Sequence, residues 1–269
     1  MIHQKNKSKN GISFYKTGKG EPIILIHGLG LRSESWLNQI KLLKKSHTVV
    51  AIDLPGHGKS KLLTHKKVNL KSYCNEIIKF IKINKINKPI LVGHSLGALI
   101  TIEIASLSPS IIKCGVAISP IYKKSLKALK EIKIRAKEIK ENPTKKVMVD
   151  APIKRWFANS RSKKIIKCSN FVKKLLTLNM KFNFNGYAIA YDVFSKLEGN
   201  SLNTIQKIKI PMFYITGDKD MNSTPLMSKK LANINNDKYK IIKGARHILQ
   251  LTHFEQFNYY LIKFIKGLE

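Results

Sequence analysis

The sequence predicts an α/β fold with a mostly parallel central sheet, helices on both faces and one inserted helical segment. Short β-branched apolar runs alternate with helix-forming stretches, which is typical of this class. The chain has 269 residues and is 43% apolar, so it is long enough to bury a full core. One apolar run, at 89–92, leads through a serine flanked by glycines directly into a helix-forming segment. This order of strand, sharp turn and helix supports the same fold class.

The first half of the chain follows the alternation without a break. Strands are predicted at 11–16, 23–26, 48–52, 89–93 and 114–118, and helices at 34–44, 70–84 and 96–107. The helix at 70–84 has one apolar face, which contains Leu70, Tyr73, Cys74, Ile77, Ile78 and Ile81. Strands joined through helices imply right-handed parallel crossovers and a sheet that is covered on both faces.

The alternation stops after Ser119-Pro120 and resumes at Pro211. Helices are predicted at 123–141, 145–158, 162–179 and 185–197, without a clear strand among them. Strands at 212–216 and 238–242 and a helix at 254–266 then complete the pattern. The predicted organisation is an α/β core of residues 1–120 and 204–269 with a helical lid inserted at 121–203. A continuous core with extra helices is the alternative.

The chain is strongly basic, with 50 Lys and Arg against 16 Asp and Glu, and a net charge of +34. Such a charge suits a binder of nucleic acid or of an anionic membrane. The basic residues are nevertheless spread along the whole chain, which is also rich in isoleucine and asparagine. This spread favours a compositional bias over a nucleic-acid site. An acidic carrier protein or an anionic lipid surface remains open as a partner.

Cysteine usage and the N-terminus predict a cytoplasmic protein. Cys74, Cys114 and Cys168 are odd in number and lack the spacing of metal ligands, so buried thiols in a reducing compartment are expected. The polar, basic N-terminal ten residues lack the apolar stretch of a signal peptide. No apolar run approaches the roughly 20 residues needed to span a bilayer.

Gly93-His94-Ser95-Leu96-Gly97 is the strongest candidate for a catalytic motif. A nucleophilic serine on a sharp strand-to-helix turn needs small neighbours two residues away on each side, and Gly93 and Gly97 meet this need. The helix that begins behind Ser95 directs amide groups at negative charge developing there. The alternative is a plain turn, but the flanking strand and helix favour the nucleophile.

A serine nucleophile needs a base, and His247 after the last predicted strand is the best candidate. His27 beside Gly28 and His57 in a glycine turn are expected to shape loops, and His94 is the spacer of the serine motif. The remaining histidines are expected to be exposed, and they are His3, His47, His65 and His253.

The acid that orients His247 is predicted to be Asp220, just past the strand at 212–216. Loops at the C-terminal ends of parallel strands converge, which favours this position. Asp218 is the alternative, with a turn residue as its simpler explanation. The loop that begins at Ser119 has no carboxylate, which strengthens the choice of Asp220.

Two backbone amides are needed to bind the oxyanion that forms during acyl transfer. One is expected from Leu96, the residue after the nucleophile. The other is expected from Leu29 in the loop His27-Gly28-Leu29-Gly30, whose glycines let the backbone approach a substrate closely.

Five segments together resemble the α/β-hydrolase superfamily, and they occur in the order of that family over nearly the whole chain. They are 23–30, 53–60, 93–97, 217–220 and 244–247. The resemblance implies an enzyme without metal or cofactor, in which Ser95 attacks an ester or thioester carbonyl and His247 takes its proton. It also implies that Asp53 and the glycines after it are structural.

Within the family, Ser95 argues against haloalkane dehalogenases and epoxide hydrolases, which carry aspartate there. Ile248 disfavours the carbon–carbon bond hydrolases, which typically carry tryptophan after the histidine. The segments at 27–36 and 53–56 are similar to those of 3-oxoadipate enol-lactonases. They are also similar to those of the carboxylesterase that removes the methyl ester from pimeloyl-acyl carrier protein.

The sequence therefore predicts a serine hydrolase of a carboxylic ester, thioester or lactone. A small-molecule ester is the expected partner, and an acidic acyl carrier protein would suit the basic lid. An acyltransferase on the same three residues is one alternative, and a non-catalytic small-molecule receptor on the same fold is another. A nucleic-acid binder has no recognised motif in its favour.

Overall fold

One eight-stranded sheet organises the protein, whose computed structural model describes residues 4–64 and 67–268. Its strands are Asn6–Lys7 (β1), Ser13–Thr17 (β2), Glu21–Ile26 (β3), His47–Ile52 (β4), Ile90–His94 (β5), Cys114–Ile118 (β6), Met212–Gly217 (β7) and Lys238–Ile242 (β8). Their spatial order is β1-β2-β4-β3-β5-β6-β7-β8. β1 and β2 are antiparallel to their neighbours, and the other six strands run parallel. The predicted mostly parallel sheet is confirmed.

Helices cover both faces of the sheet. In the described part of the chain they are Leu37–Leu43 (α1), Leu70–Ile83 (α2), Leu96–Leu107 (α3), Leu126–Glu141 (α4), Ala151–Phe157 (α5), Lys163–Phe182 (α6), Phe184–Lys196 (α7), Leu202–Gln206 (α8), Pro225–Asn235 (α9), Leu249–Thr252 (α10) and Phe254–Lys266 (α11). α1 and α11 pack with one face of the sheet, and α2, α3 and α9 with the other. α3 is buried on nearly all sides because it lies between the sheet, α2 and α8.

Most predicted elements form within one to three residues of their expected ends. The helix expected at 34–44 begins as a 3₁₀ turn at Ser33–Trp36, and the helix expected at 145–158 begins as a π turn at Lys146–Asp150. Five elements of the described chain were not predicted, namely β1, α8, α9, α10 and a 3₁₀ turn at Pro109–Ile111. β1 contains two polar residues and α10 only four residues, too short for a periodic pattern.

Four longer helices, α4 to α7, lie between β6 and β7 and pack over the C-terminal edge of the sheet. α4 packs against α7, and α5 packs against α6. Asn179 of α6 donates to the carbonyls of Gly30 and Leu31, and it accepts a hydrogen bond from the amide of Gly58. These bonds attach the inserted helices to two loops of the core. α8 begins at Leu202 and packs against α3 and α9.

Burial of the minor candidate residues differs in part from expectation. Cys74 and Cys114 are buried, but Cys168 is half-buried. His47 and His253 are half-buried rather than exposed, because His47 begins β4 and His253 joins α10 to α11. His3 and His65 lie outside the described residues. Among residues 4–64 and 67–268, no helix is long and apolar enough to cross a membrane.

Candidate active site

Ser95 lies at the turn between β5 and α3, in a backbone conformation that non-glycine residues rarely adopt. Its φ is 53° and its ψ is −111°, and its amide donates to the carbonyl of Ile118 at 2.9 Å. A Cβ atom on Gly93 would collide with the carbonyl of Gly97, and one on Gly97 with the carbonyl of Ile26. The two glycines therefore allow the strand and the helix to approach, and the strained turn presents the Ser95 hydroxyl.

The side chains of Ser95, His247 and Asp220 form one hydrogen-bonded chain. His247 Nδ1 is 2.9 Å from Asp220 Oδ2, and His247 Nε2 is 3.1 Å from Ser95 Oγ. An ionised carboxylate only accepts, so Nδ1 carries the proton and Nε2 is free to accept from the serine hydroxyl. All three residues are buried, and the His247 side chain is only 4% exposed. The arrangement can transfer a proton from Ser95 to His247.

The loop after β7 holds Asp220 in place as an acceptor. Its Oδ1 accepts from the amides of Asn222 at 2.9 Å and Ser223 at 3.1 Å. Burial alone would raise the pKa of Asp220, but the charge of His247 and these hydrogen bonds hold it below its ordinary value. Asp218 is exposed, so the structure brings Asp220, and not the alternative Asp218, to His247.

Three other histidines support the site as neutral side chains. His94 Nε2 donates to the carbonyl of His247 at 2.8 Å, and burial lowers the pKa of His94 to about 3. His27 Nε2 accepts from the amide of Leu54 at 2.9 Å, so Nδ1 donates to Gly28, and burial lowers its pKa to about 3. His57 accepts from the amide of Gly30 at 3.2 Å, and burial lowers its pKa to about 4.

The two amides expected to bind the oxyanion are those of Leu96, which follows Ser95 in the chain, and Leu29, which lines the same cavity as Ser95. Within the described chain, neither the Leu29 nor the Leu96 amide donates a hydrogen bond to another residue. Leu96 is the first residue of α3, where the helix supplies no acceptor for its amide. Gly28, which precedes Leu29, packs closely against the Ser95 turn. A Cβ atom on Gly28 would lie 2.7 Å from His94 Nδ1 and 3.2 Å from Ser95 Cβ.

A cavity of about 480 Å³ opens beside Ser95 and His247. Leu29 lines it from the core, and α4, α5 and α7 of the inserted segment supply much of its remaining wall. Trp156 of α5 stacks on His247, with ring centroids 5.7 Å apart and an angle of 28° between the planes. The inserted helices therefore contribute directly to the surroundings of the serine and the histidine.

A family model described as the alpha/beta hydrolase fold matches residues 21–254, which is most of the chain. The chain belongs to the α/β-hydrolase family. The resemblance inferred from the five sequence segments is thereby confirmed, and the eight-stranded sheet has the architecture that the resemblance implied.

Two relatives in this α/β-hydrolase family are each 30% identical to the chain. One is the (E)-2-((N-methylformamido)methylene)succinate hydrolase of Acinetobacter baylyi, matched over 91% of this chain and 90% of its own length. The other is the pimeloyl-[acyl-carrier protein] methyl ester esterase of Wigglesworthia glossinidia brevipalpis, matched over 86% and 88%. The predicted hydrolase class is confirmed.

Solved structures of the α/β-hydrolase family show the same fold. The enol-lactonase of Burkholderia xenovorans has a TM-score of 0.85 and 19% identity, and the match covers 98% of this chain and all of that one. A thermophilic esterase from Thermogutta terrifontis has the same TM-score at 17% identity, over 99% of each chain. At this identity, the likeness shows the fold alone.

Several residues that line the cavity were not singled out from the sequence. They are Trp156, Arg135, Arg155, Tyr187 and Tyr191. All lie on the inserted helices, whose packing a single sequence does not reveal. One signal was available, because the chain has only five arginines among its 50 basic residues, and two of them line this cavity.

Proposed function

We propose that the protein hydrolyses a carboxylic ester through Ser95, His247 and Asp220, with an acyl-enzyme intermediate. The supporting observation is the hydrogen-bonded chain of these three side chains, of which Ser95 and His247 line a cavity of about 480 Å³. Membership of the α/β-hydrolase family and relatives named as a hydrolase and an esterase support the same reaction class.

In the first half of the reaction, Ser95 Oγ attacks the substrate carbonyl carbon while its proton passes to His247 Nε2. The carbonyl oxygen becomes negatively charged and accepts hydrogen bonds from the amides of Leu29 and Leu96. The tetrahedral intermediate then collapses, and His247 gives its proton to the departing alcohol. An acyl group remains on Ser95.

In the second half, a water molecule attacks the acyl carbon while His247 takes its proton. Collapse of the second intermediate releases the carboxylic acid and returns the proton to Ser95. Asp220 stays ionised throughout, because its hydrogen bonds favour the carboxylate, and it stabilises the positive charge that His247 gains. No step requires a metal or a cofactor.

The helical segment at 121–203 acts as a lid that determines which acyl group enters. Its helices α4, α5 and α7 line the cavity, and Trp156 covers one face of His247. Replacing this segment with the corresponding helices of an esterase of known chain-length preference should transfer that preference. An unchanged preference in a folded, active chimera would contradict the lid assignment.

An acyl chain carried by an acidic acyl carrier protein is a second candidate for the substrate. Two relatives are named as pimeloyl-[acyl-carrier protein] methyl ester esterases, and the chain has a net charge of +34. An acidic carrier would be attracted to such a surface. This candidate predicts that a carrier-bound ester is hydrolysed with a higher kcat/KM than the same free ester, and that salt removes the advantage.

The experiment that tests the proposed function is hydrolysis of 4-nitrophenyl esters, from acetate to palmitate, by the wild type and by Ser95→Ala. We expect kcat to fall by about 10³-fold or more in the variant, because the nucleophile is missing. Near-wild-type turnover by a folded Ser95→Ala protein would contradict the proposed function. Competition by added alcohols distinguishes a hydrolase from an acyltransferase, since only the latter forms new esters efficiently.

A further inference from the structure

We propose that the cavity beside Ser95 binds an acyl group that ends in a carboxylate, with Arg155 and Arg135 as the residues that bind this carboxylate. The inference rests on the proposed ester hydrolysis and specifies its substrate class. It follows from a positive charge in the wall of the cavity that the neighbouring residues compensate only in part.

Arg155 is a half-buried cation that lines the cavity without a protein partner. Within the described chain, its guanidinium donates no hydrogen bond and forms no ion pair. Burial is the main cause that lowers the pKa of Arg155, and the positive charge of Arg135 lowers it further, whereas Tyr191, Tyr187 and Glu131 act in the opposite direction. An arginine cannot lose its proton in a protein, so the cation persists and an anionic ligand would relieve the unfavourable desolvation.

Arg135 has only weak compensation for its charge. Its Nε donates to the Tyr191 hydroxyl at 3.1 Å, which is a neutral partner. Its Nη1 lies 3.9 Å from Glu131, whose side chain is 52% exposed, so this ion pair is loose and screened by water. Arg135 therefore remains available to a second anion.

The remaining charges of the cavity do not neutralise the two arginines. Among the described lining residues, Glu131 is the only carboxylate, whereas four are basic. Lys124 is occupied, because its Nζ donates to the carbonyls of Phe194 at 2.7 Å and Leu197 at 2.5 Å. Lys123 is exposed. The positive charge inside the cavity is therefore concentrated at Arg135 and Arg155.

The chemistry and the position of this pair favour a carboxylate on the acyl side of the substrate. A guanidinium presents its N–H groups in a planar fork that matches a carboxylate, which a lysine does not. Arg155 lines the same cavity as Ser95 and His247, and so does Trp156, which stacks on His247. A monoester of a dicarboxylic acid would place its ester at Ser95 and its free carboxylate at the arginines.

The test compares mono-4-nitrophenyl esters of a series of dicarboxylic acids, from adipic acid to longer homologues, with neutral counterparts in which a methyl ketone replaces the carboxylate. We expect the wild type to favour the charged ester by about 10-fold or more in kcat/KM, since hydrogen bonds to charged groups contribute roughly 1.5–3 kcal/mol. Arg155→Met should abolish this preference, because it should lower the kcat/KM of the charged ester much more than that of the neutral ester. Arg135→Met should reduce the preference in part.

Arg161→Met is the matched control, because it removes the same charge from an exposed position outside the cavity. It should keep the full preference, which separates a specific site from attraction by the overall positive charge. Thermal unfolding of each variant checks its folding. As a test that needs no variant, adipate should inhibit neutral-ester hydrolysis by the wild type at least about 10-fold better than adipamide.

The possible outcomes distinguish the subsite from the proposed function. Hydrolysis of both esters through Ser95 without a preference for the charged one would overturn the subsite and leave the ester hydrolase in place. Equal inhibition by adipate and adipamide would also overturn the subsite. So would a loss of preference in Arg161→Met as large as the loss in Arg155→Met. Hydrolysis of neither ester series by the wild type would contradict the proposed function and the subsite together.

Discussion

Asp220 illustrates how one side chain is fixed by several weak contacts at once. One of its carboxylate oxygens accepts two backbone hydrogen bonds, and the other faces His247 Nδ1. Its loop is in turn tied to β6, because the Ser223 hydroxyl donates to the carbonyl of Ser119 at 2.7 Å. The orientation of His247 therefore depends on a carboxylate whose position the fold determines.

Replacement of Asp220 by asparagine should lower kcat by about 10³- to 10⁴-fold. The amide would favour the wrong protonation state of His247, and it would not stabilise the positive charge that forms on the ring. The measurement is 4-nitrophenyl ester hydrolysis at pH 7.5. The matched control is Asp218→Asn, an exposed aspartate of the same loop, which should stay within about 2-fold of the wild type. A larger loss of kcat in Asp218→Asn than in Asp220→Asn would assign the acid to Asp218 instead.

At this scale, the sequence predicted the residues that belong to short motifs and missed those that depend on packing. Ser95 and His247 follow strands of one parallel sheet, β5 and β8, so their convergence at one edge of the sheet could be inferred. The contact of His94 with the carbonyl of His247 joins residues 153 positions apart, and no local pattern signals it. Trp156 and Arg155 reach the cavity only through the packing of the inserted helices.

The crossing of β5 and α3 is the element on which the site depends most. Gly97 lies in the first turn of α3, and the carbonyls of Ile26 and His27 occupy the space where its Cβ would be. A side chain here would push the helix away from β3. The distance between Ser95 and the loop that contains Leu29 would change with it.

Gly97→Ala should lower the free energy of unfolding by roughly 1–3 kcal/mol. Alanine favours a helix by about 1 kcal/mol over glycine, but contact with rigid backbone atoms costs more than this gain. Urea unfolding gives the value. Gly267→Ala is the control, since its Cβ would lie at an ordinary 3.4 Å from the carbonyl oxygen of Lys263. Equal free energies of unfolding for the two variants would show that α3 can move away from β3 without a loss of stability.

The C-terminal end of α9 contains a carboxylate that is poorly accommodated. Asp237 follows this helix, where the helix dipole is unfavourable to negative charge. Its Oδ1 accepts from the Met212 amide at 3.0 Å, but its buried Oδ2 contacts no hydrogen-bond donor in the described chain. Burial raises the pKa of Asp237 to about 6. The wild type should therefore lose stability as the pH rises from about 4 through 6.

Asp237→Asn should stabilise the protein above pH 7 and have little effect near pH 4. The pKa of Asp237 is higher in the folded state than in the unfolded state, so ionisation of this carboxyl destabilises the folded wild type only at the higher pH. An asparagine amide does not ionise, so the variant avoids this loss of stability. The side chain is partly exposed, so water reduces the effect. Urea unfolding at both pH values measures it, with the exposed Asp218→Asn as control. A stabilisation that is the same at pH 4 and pH 8 would contradict this explanation.

The α/β alternation of the core could be predicted because it follows from hydrophobic periodicity. α9 was missed although Thr224-Pro225 is a recognisable helix start. The two residues of β1 pair with β2, and nothing in two polar residues indicates a strand. How α4 to α7 close the cavity depends on contacts between helices, which periodicity does not determine.

For the whole molecule, the charge of +34 should oppose folding through repulsion among lysines. Sodium chloride screens this repulsion, with a Debye length of about 10 Å at 0.1 M. We therefore expect Tm to rise by a few degrees between about 0.02 and 0.3 M sodium chloride. Chloride is preferred to sulfate, because sulfate also strengthens apolar burial. A fall in Tm over this range would mean that attractive ion pairs dominate.

The central claim is that Ser95 is the nucleophile, and covalent labelling tests it most directly. An alkyl fluorophosphonate reacts with a serine that an adjacent base activates, and peptide mass spectrometry identifies the modified residue. The account predicts one adduct, on Ser95, with loss of ester hydrolysis in proportion to labelling, and no adduct in Ser95→Ala. An adduct on another residue, or full ester hydrolysis after Ser95 has been modified, would contradict it.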